Sequence, residues 1–125
     1  MRALLLLAVA CAGCSDDGAL QSVRYERARA ARAGLYAVKA APGGALARFV
    51  DVRLIGANIV CGTVDGQDGG GVRRFGVANG EAVIEQLGDP ASLAAVEKAC
   101  PAGPSRKVIG RNAAFTDISV EDEPS

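Results

Sequence analysis

The spacing of apolar residues changes character along the chain. Between residues 20 and 41 Ala and Arg are frequent, and Gly34 is the one Gly or Pro before Pro42. Both are good helix formers. Leu20, Val23, Ala30, Ala31 and Val38 recur at roughly helical spacing, with Arg27 interrupting the stripe. The pattern predicts one helix, bent or ended at Gly34 and stopped by Pro42-Gly43-Gly44. From residue 46 the period falls to two. Over residues 46–55, Val50, Val52 and Leu54 fall on one face and Asp51 and Arg53 on the other. Residues 59–65 and 72–78 form a second and a third β-rich run, joined by the glycine-rich stretch 66–71. Asn79-Gly80 connects the third run to a fourth, residues 81–87, and Asn-Gly between alternating segments is a strong hairpin signal.

The period then returns to a helical one. Asp89 can cap a helix that begins at Pro90, where a missing N–H costs nothing. Leu93, Val96 and Cys100 give it one apolar stripe, and Pro101, Gly103 and Pro104 end it. Residues 107–110 and 113–120 can add a fifth strand; residues 121–125 are acidic and expected to fray. The prediction is therefore an α+β domain over residues 20–120. It has an N-terminal helix, a four-stranded antiparallel meander, and a second helix packed on the sheet.

The N-terminus belongs to a different class of segment. In MRALLLLAVACAGC, Arg2 precedes an apolar run over residues 3–10 and then small residues. That is the order of a secretory signal, and the run is far shorter than the ~20 residues a membrane-spanning helix needs. Ala12-Gly13-Cys14 followed by Ser15-Asp16-Asp17 resembles a bacterial lipoprotein lipobox, with Cys11 where that family usually has an aliphatic residue. The resemblance implies that Cys14, or alternatively Cys11, is diacylated and becomes the new N-terminus. Residues 1–14 would then be signal, residues 15–19 a flexible tether, and the domain would face the periplasm on a lipid anchor. Ordinary secretion, with cleavage after Ala10 or Ala12, is the competing reading.

Composition narrows the chemistry. Lys and Arg number 14, Asp and Glu 14, and His is absent. The balance leaves no basic field to hold nucleic acid. Without His there is no Ser-His or Cys-His pair and no His-ligated metal site. Beyond residue 14 only about one residue in four is Val, Leu, Ile, Phe or Tyr, a modest core that a covalent brace would help.

Cys61 and Cys100 can supply that brace. An even count in an oxidising compartment reads as a disulfide, here joining the second strand to the second helix. A redox-active pair usually lies two residues apart at a strand-to-helix turn, unlike these two. The stretch 65–71 (Asp-Gly-Gln-Asp-Gly-Gly-Gly) loosely follows a calcium loop but lacks its regular acidic spacing and its bidentate Glu. No metal or other cofactor is expected. Asp65, Gln67, Asp68, Arg73 and Arg74 are the candidate partner-contact residues on and around this loop, since such loops on a rigid sheet often meet partners. The first helix carries Arg24, Arg27, Arg29, Arg32 and Lys39 against Glu26. That face either meets anionic headgroups or is solvated. Arg48, Arg53, Arg73 and Arg74 are expected on the exposed sheet face, paired with Asp51, Glu81 and Glu85.

One further resemblance rests on Ala47-Arg48-Phe49, Asp51-Val52, Val60-Cys61-Gly62 with Val64, and Gly71 with Phe75. These residues, over about 42–77, are similar to a widespread group of small, mostly uncharacterised exported bacterial domains. Cys100 matches that group's later cysteine; Asp65 stands where its Asn is usual, and Val72 replaces its loop aromatic. The resemblance implies an exported, disulfide-braced α+β domain and carries no activity. Three functions follow as expectations. The first is a non-catalytic envelope lipoprotein binding a protein or wall component. The second is an inhibitor or exclusion-type lipoprotein that blocks another protein with the glycine-rich loop. The third is a hydrolase using Asp51, Asp65 and Asp68, for which the chain has little aromatic surface to stack a sugar.

Overall fold

The computed structural model describes residues 2–66, 71–110 and 115–125, with side chains described from Gly18 onward. Two helices and six strands follow in the order α1 (Arg2–Ala40), β1 (Arg48–Ile55), β2 (Ile59–Gly66), β3 (Gly71–Ala78), β4 (Glu81–Ile84), α2 (Pro90–Ala99), β5 (Ser105–Ile109) and β6 (Ser119–Val120). The protein is α+β, with one antiparallel sheet ordered β4-β3-β2-β1-β5-β6.

The expected meander is present, and the turn at Asn79-Gly80 has both residues at positive φ, 54° and 77°. The sheet has six strands where four were expected. After β4 the chain crosses back through α2, and β5 pairs antiparallel with β1 on the far side of the meander; β6 then pairs with β5. Both added strands are short, and of β5 only Val108 is buried. A five-residue strand with one core position leaves almost no period-2 signal. Residues 121–125, expected to fray, instead continue along β5. The Glu121 N–H donates to the Lys107 carbonyl at 3.0 Å and the Ser125 N–H to the Ser105 carbonyl at 2.8 Å.

The first helix also departs from expectation. It begins at Arg2, so residues 15–19 are helical, and it passes through Gly34 without ending. Only Gly13, Gly18 and Gly34 interrupt its good helix formers, each costing about 1 kcal/mol relative to Ala, and no Pro breaks it. No helix among the described residues is long and apolar enough to cross a membrane.

The two helices lie on opposite faces of the sheet. Ala31, Leu35 and Val38 of α1 are buried with Val52, Leu54, Val60, Val64, Phe75 and Val77 in one core. Fully burying a side chain such as Leu35 or Phe75 contributes roughly 1.5–3 kcal/mol. Leu20 and Val23, on the predicted stripe, are exposed because that part of α1 lies beyond the core. The neighbouring positions Cys61 and Gly76 point the other way and meet α2. A Cβ on Gly76 would lie 2.7 Å from Cys100 Sγ and 3.1 Å from Ala99 Cβ. Only a glycine lets α2 sit this close to β3. Val96 is the buried residue of α2, and Asp89 caps the helix by accepting from the Ala91 N–H at 3.1 Å. Cys61 and Cys100 form a disulfide with a Cα–Cα distance of 6.1 Å, and Cys100 is the C-cap rather than part of the helix.

One strand residue is on the wrong face for its period. Val50 was expected beside Val52 and Leu54, yet it is 60% exposed. The β1–β2 register shifts between Phe49 and Asp51, so Val50 is the extra residue of a bulge. Phe49 takes the inward position and makes edge-to-face contacts with Phe75 and Phe115, at 5.6 and 5.8 Å between ring centroids.

Candidate functional site

The described members of the predicted contact set, Asp65, Arg73 and Arg74, do not converge on one site. Asp65 is the penultimate residue of β2, and its carboxylate lies 3.4 Å from the Arg48 guanidinium across the β1–β2 pair. Gln67 and Asp68 lie outside the described residues. Arg73, expected on the exposed face, points to the α1 side and is buried, because it shares the inward parity of Phe75 and Val77. Arg74 is exposed on the α2 side, 3.6 Å from Glu97, while its backbone N–H donates to Glu85. Asp51 stands 3.6 Å from Arg53 on the same strand. The candidate lipidation residues Cys14 and Cys11 fall in the part of α1 whose side chains are outside the described residues.

The basic residues of α1 are largely engaged by the protein itself. Arg24 donates to both carboxylate oxygens of Asp122, at 3.1 and 2.8 Å, and Arg27 lies 3.9 Å from the same group. Arg106 of β5 donates to the Asp122 carbonyl at 3.1 Å. The Arg24 hydrogen bond is the main influence on the Asp122 carboxyl and, with added attraction from Arg24, Arg27 and Arg106, holds it below its usual range against the opposing effect of desolvation. The same contact raises Arg24 above its ordinary value. Further along, Arg32 donates to the Phe115 carbonyl at 2.8 Å, and the Lys39 ammonium donates to the carbonyls of Ala47 and Ala45. These cations tie the chain's later segments to α1. Arg29 makes no such contact among the described residues.

Of the concavities among the described residues, two lie against β1. The first, about 270 Å³, lies on the α2 face over the disulfide and is edged by Arg53, Thr63 and Arg74. The second, about 740 Å³, is a cleft between β1 and β5. It exists because the two strands pair only at Arg53–Lys107, Leu54–Arg106 and Ile55–Ser105. Beyond Arg53, toward the Val50 bulge, no further pairing of β1 on that side occurs among the described residues. The cleft holds Phe49, Val50, Val52 and Phe115 together with Lys39 and Lys107. Neither concavity was legible in the sequence, since each depends on where β5 docks.

No group of three or more metal-ligating side chains occurs among the described residues. Comparison with known proteins finds no protein family, curated protein or solved structure that matches the chain.

Proposed function

We propose that the protein is a non-catalytic, membrane-anchored lipoprotein of the bacterial envelope that binds an envelope partner with its sheet domain. The observation that carries this reading is the Ala12-Gly13-Cys14-Ser15 run closing an apolar segment behind Arg2. The Cys61–Cys100 disulfide supports it, because such bonds persist in oxidising compartments. Acyl chains on Cys14 would contribute ~0.8 kcal/mol per buried methylene, enough for a di- or triacylated residue to hold the domain at a membrane. The binding part of the reading is supported by the open cleft between β1 and β5 and by carboxylates that pair with arginines rather than converge.

Metabolic labelling with a clickable fatty acid tests the anchor. Label is expected on the wild type and lost in Cys14→Ala. Label that survives Cys14→Ala and disappears in Cys11→Ala would move the site, and label on neither form would overturn the anchor.

A further inference from the structure

The solvent side of α1 is not the charged face that a helix packed on a sheet ordinarily turns to water. With Ala31, Leu35 and Val38 in the core, the residues exposed from Tyr25 to Ala40 are Tyr25, Glu26, Arg29, Ala33, Tyr36 and Ala40. The chain has two tyrosines and no tryptophan, and both tyrosines stand on this side of α1, 64% and 50% exposed. They are eleven positions apart, three turns, so they share one phase of the helix, with Arg29 between them. The Tyr36 ring is steadied by an edge-to-face contact with Phe115, 5.2 Å between centroids, and is not covered by it.

Past Glu26 the charge on α1 has one sign. From Arg27 to Ala40 the helix holds Arg27, Arg29, Arg32 and Lys39 and no Asp or Glu. Arg32 and Lys39 are half-buried and donate to backbone carbonyls, and neither meets a carboxylate among the described residues. Arg29 is exposed. Tyrosine, with an apolar ring and a polar tip, is enriched at the membrane–water interface, and a guanidinium suits phosphate. Position 14 lies a further three turns toward the N-terminus of the same continuous helix and shares the phase of Tyr25. A lipid attached there and this face would meet one surface.

We infer that α1 lies flat on the membrane through Tyr25, Arg29 and Tyr36, with anionic phospholipid headgroups as its partner. A helix of this kind rests in the interface plane and does not span the bilayer. Because α1 and α2 cover opposite faces of the sheet, α2 and the concavity over the disulfide are then turned away from the lipid, toward an envelope partner. This orientation rests on the reading of the protein as a membrane-anchored lipoprotein, and adds which face meets the lipid.

Both tyrosines lie on the inferred face and the chain has no tryptophan, so intrinsic fluorescence reads that face directly. The test compares acrylamide quenching of the full-length protein in solution, on vesicles of phosphatidylcholine, and on vesicles of phosphatidylcholine mixed with phosphatidylglycerol. The quenching constant should fall about threefold on the anionic vesicles and less on the zwitterionic ones. Arg29→Glu, on an exposed side chain, should bring it back toward the solution value on anionic vesicles with the melting temperature unchanged, and Arg29→Lys should not. Protein that sediments with anionic vesicles while its tyrosines stay as quenchable as in solution would overturn the inference and leave the anchor standing. Protected tyrosines in a protein without acyl label would support it and overturn the anchor alone. Failure to sediment, equal protection on both vesicles, or full protection in Arg29→Glu would each overturn it. So would protection that arises without vesicles as protein concentration is raised, which would reassign the face to a second copy of the chain.

Discussion

Gly34 of α1 lies directly over Val60 of β2. A Cβ built on residue 34 would stand 2.6 Å from Val60 Cγ2 and 2.8 Å from Val60 Cβ. The contact sets how closely the helix approaches the sheet, and it explains a glycine inside a helix that would otherwise favour alanine. Gly34→Ala should gain about 1 kcal/mol of helix propensity and lose roughly 1–3 kcal/mol to overpacking, for a net destabilisation. Chemical denaturation checks the sign. Adding Val60→Ala should make the alanine at position 34 favourable, and a stabilised single variant would refute the packing.

The disulfide joins β2 to the end of a helix with little other anchorage. Cys61 and Cys100 are separated by 39 positions, and Val96 is the buried residue of α2. Cys61→Ser should cost roughly 2–5 kcal/mol in a chain of this size. A thiol titration on the denatured, unreduced protein should find neither Cys61 nor Cys100 reactive. Reduction should bring wild-type stability close to that of the variant.

The Asp122–Arg24 pair makes the C-terminal segment sensitive to acid. Asp122 is held below its ordinary value, so its favourable interaction is present above about pH 4, the unfolded value. It is lost as the pH falls through the lower value of the folded chain. Hydrogen exchange at the Glu121 and Ser125 amides should therefore be slowed at pH 6 and, after correction for intrinsic rates, less protected at pH 3. Arg24→Gln should reduce that protection at pH 6, while protection in β2 and β3 stays unchanged.

The bulge predicts opposite outcomes for two valines two positions apart. Val50→Asp should change stability by no more than about 0.5 kcal/mol, as an exposed substitution does. Val52→Asp would place a carboxylate among Leu54, Val60 and Phe75 and should prevent stable folding. Thermal melts of the two variants decide it; equal losses would show that the strand lacks the bulge.

Arg32 bears on the conformation of Phe115, which has a φ of 54°. Left-handed backbone costs an L-residue roughly 1–2 kcal/mol, offset here by burial of the ring and by the Arg32 hydrogen bond to the Phe115 carbonyl. Arg32→Ala should destabilise the protein by about 1.5–3 kcal/mol, the usual range for a hydrogen bond from a charged donor. Arg29→Ala, on an exposed neighbour in the same helix, should leave the melting temperature within a degree or two of wild type.

What the chain determines by itself is what depends on neighbours a few residues apart. The meander from β1 to β4, the Asn79-Gly80 turn and the Asp89-Pro90 start of α2 are all local, so they were legible in the sequence. The disulfide was legible too, because only Cys61 and Cys100 remain beyond the expected signal. The tertiary structure alone decided where β5 docks, that Val50 bulges outward and that Arg73 turns in. It also decided that residues 121–125 are held by Arg24 and Arg106. Each of these is a contact between segments far apart in the chain. A strand such as β5 can be short and polar because pairing with β1 and β6, rather than its own pattern, supplies its hydrogen bonds. The cleft between β1 and β5 has the same origin, a place where two distant segments stop pairing, and no local spacing of residues encodes it.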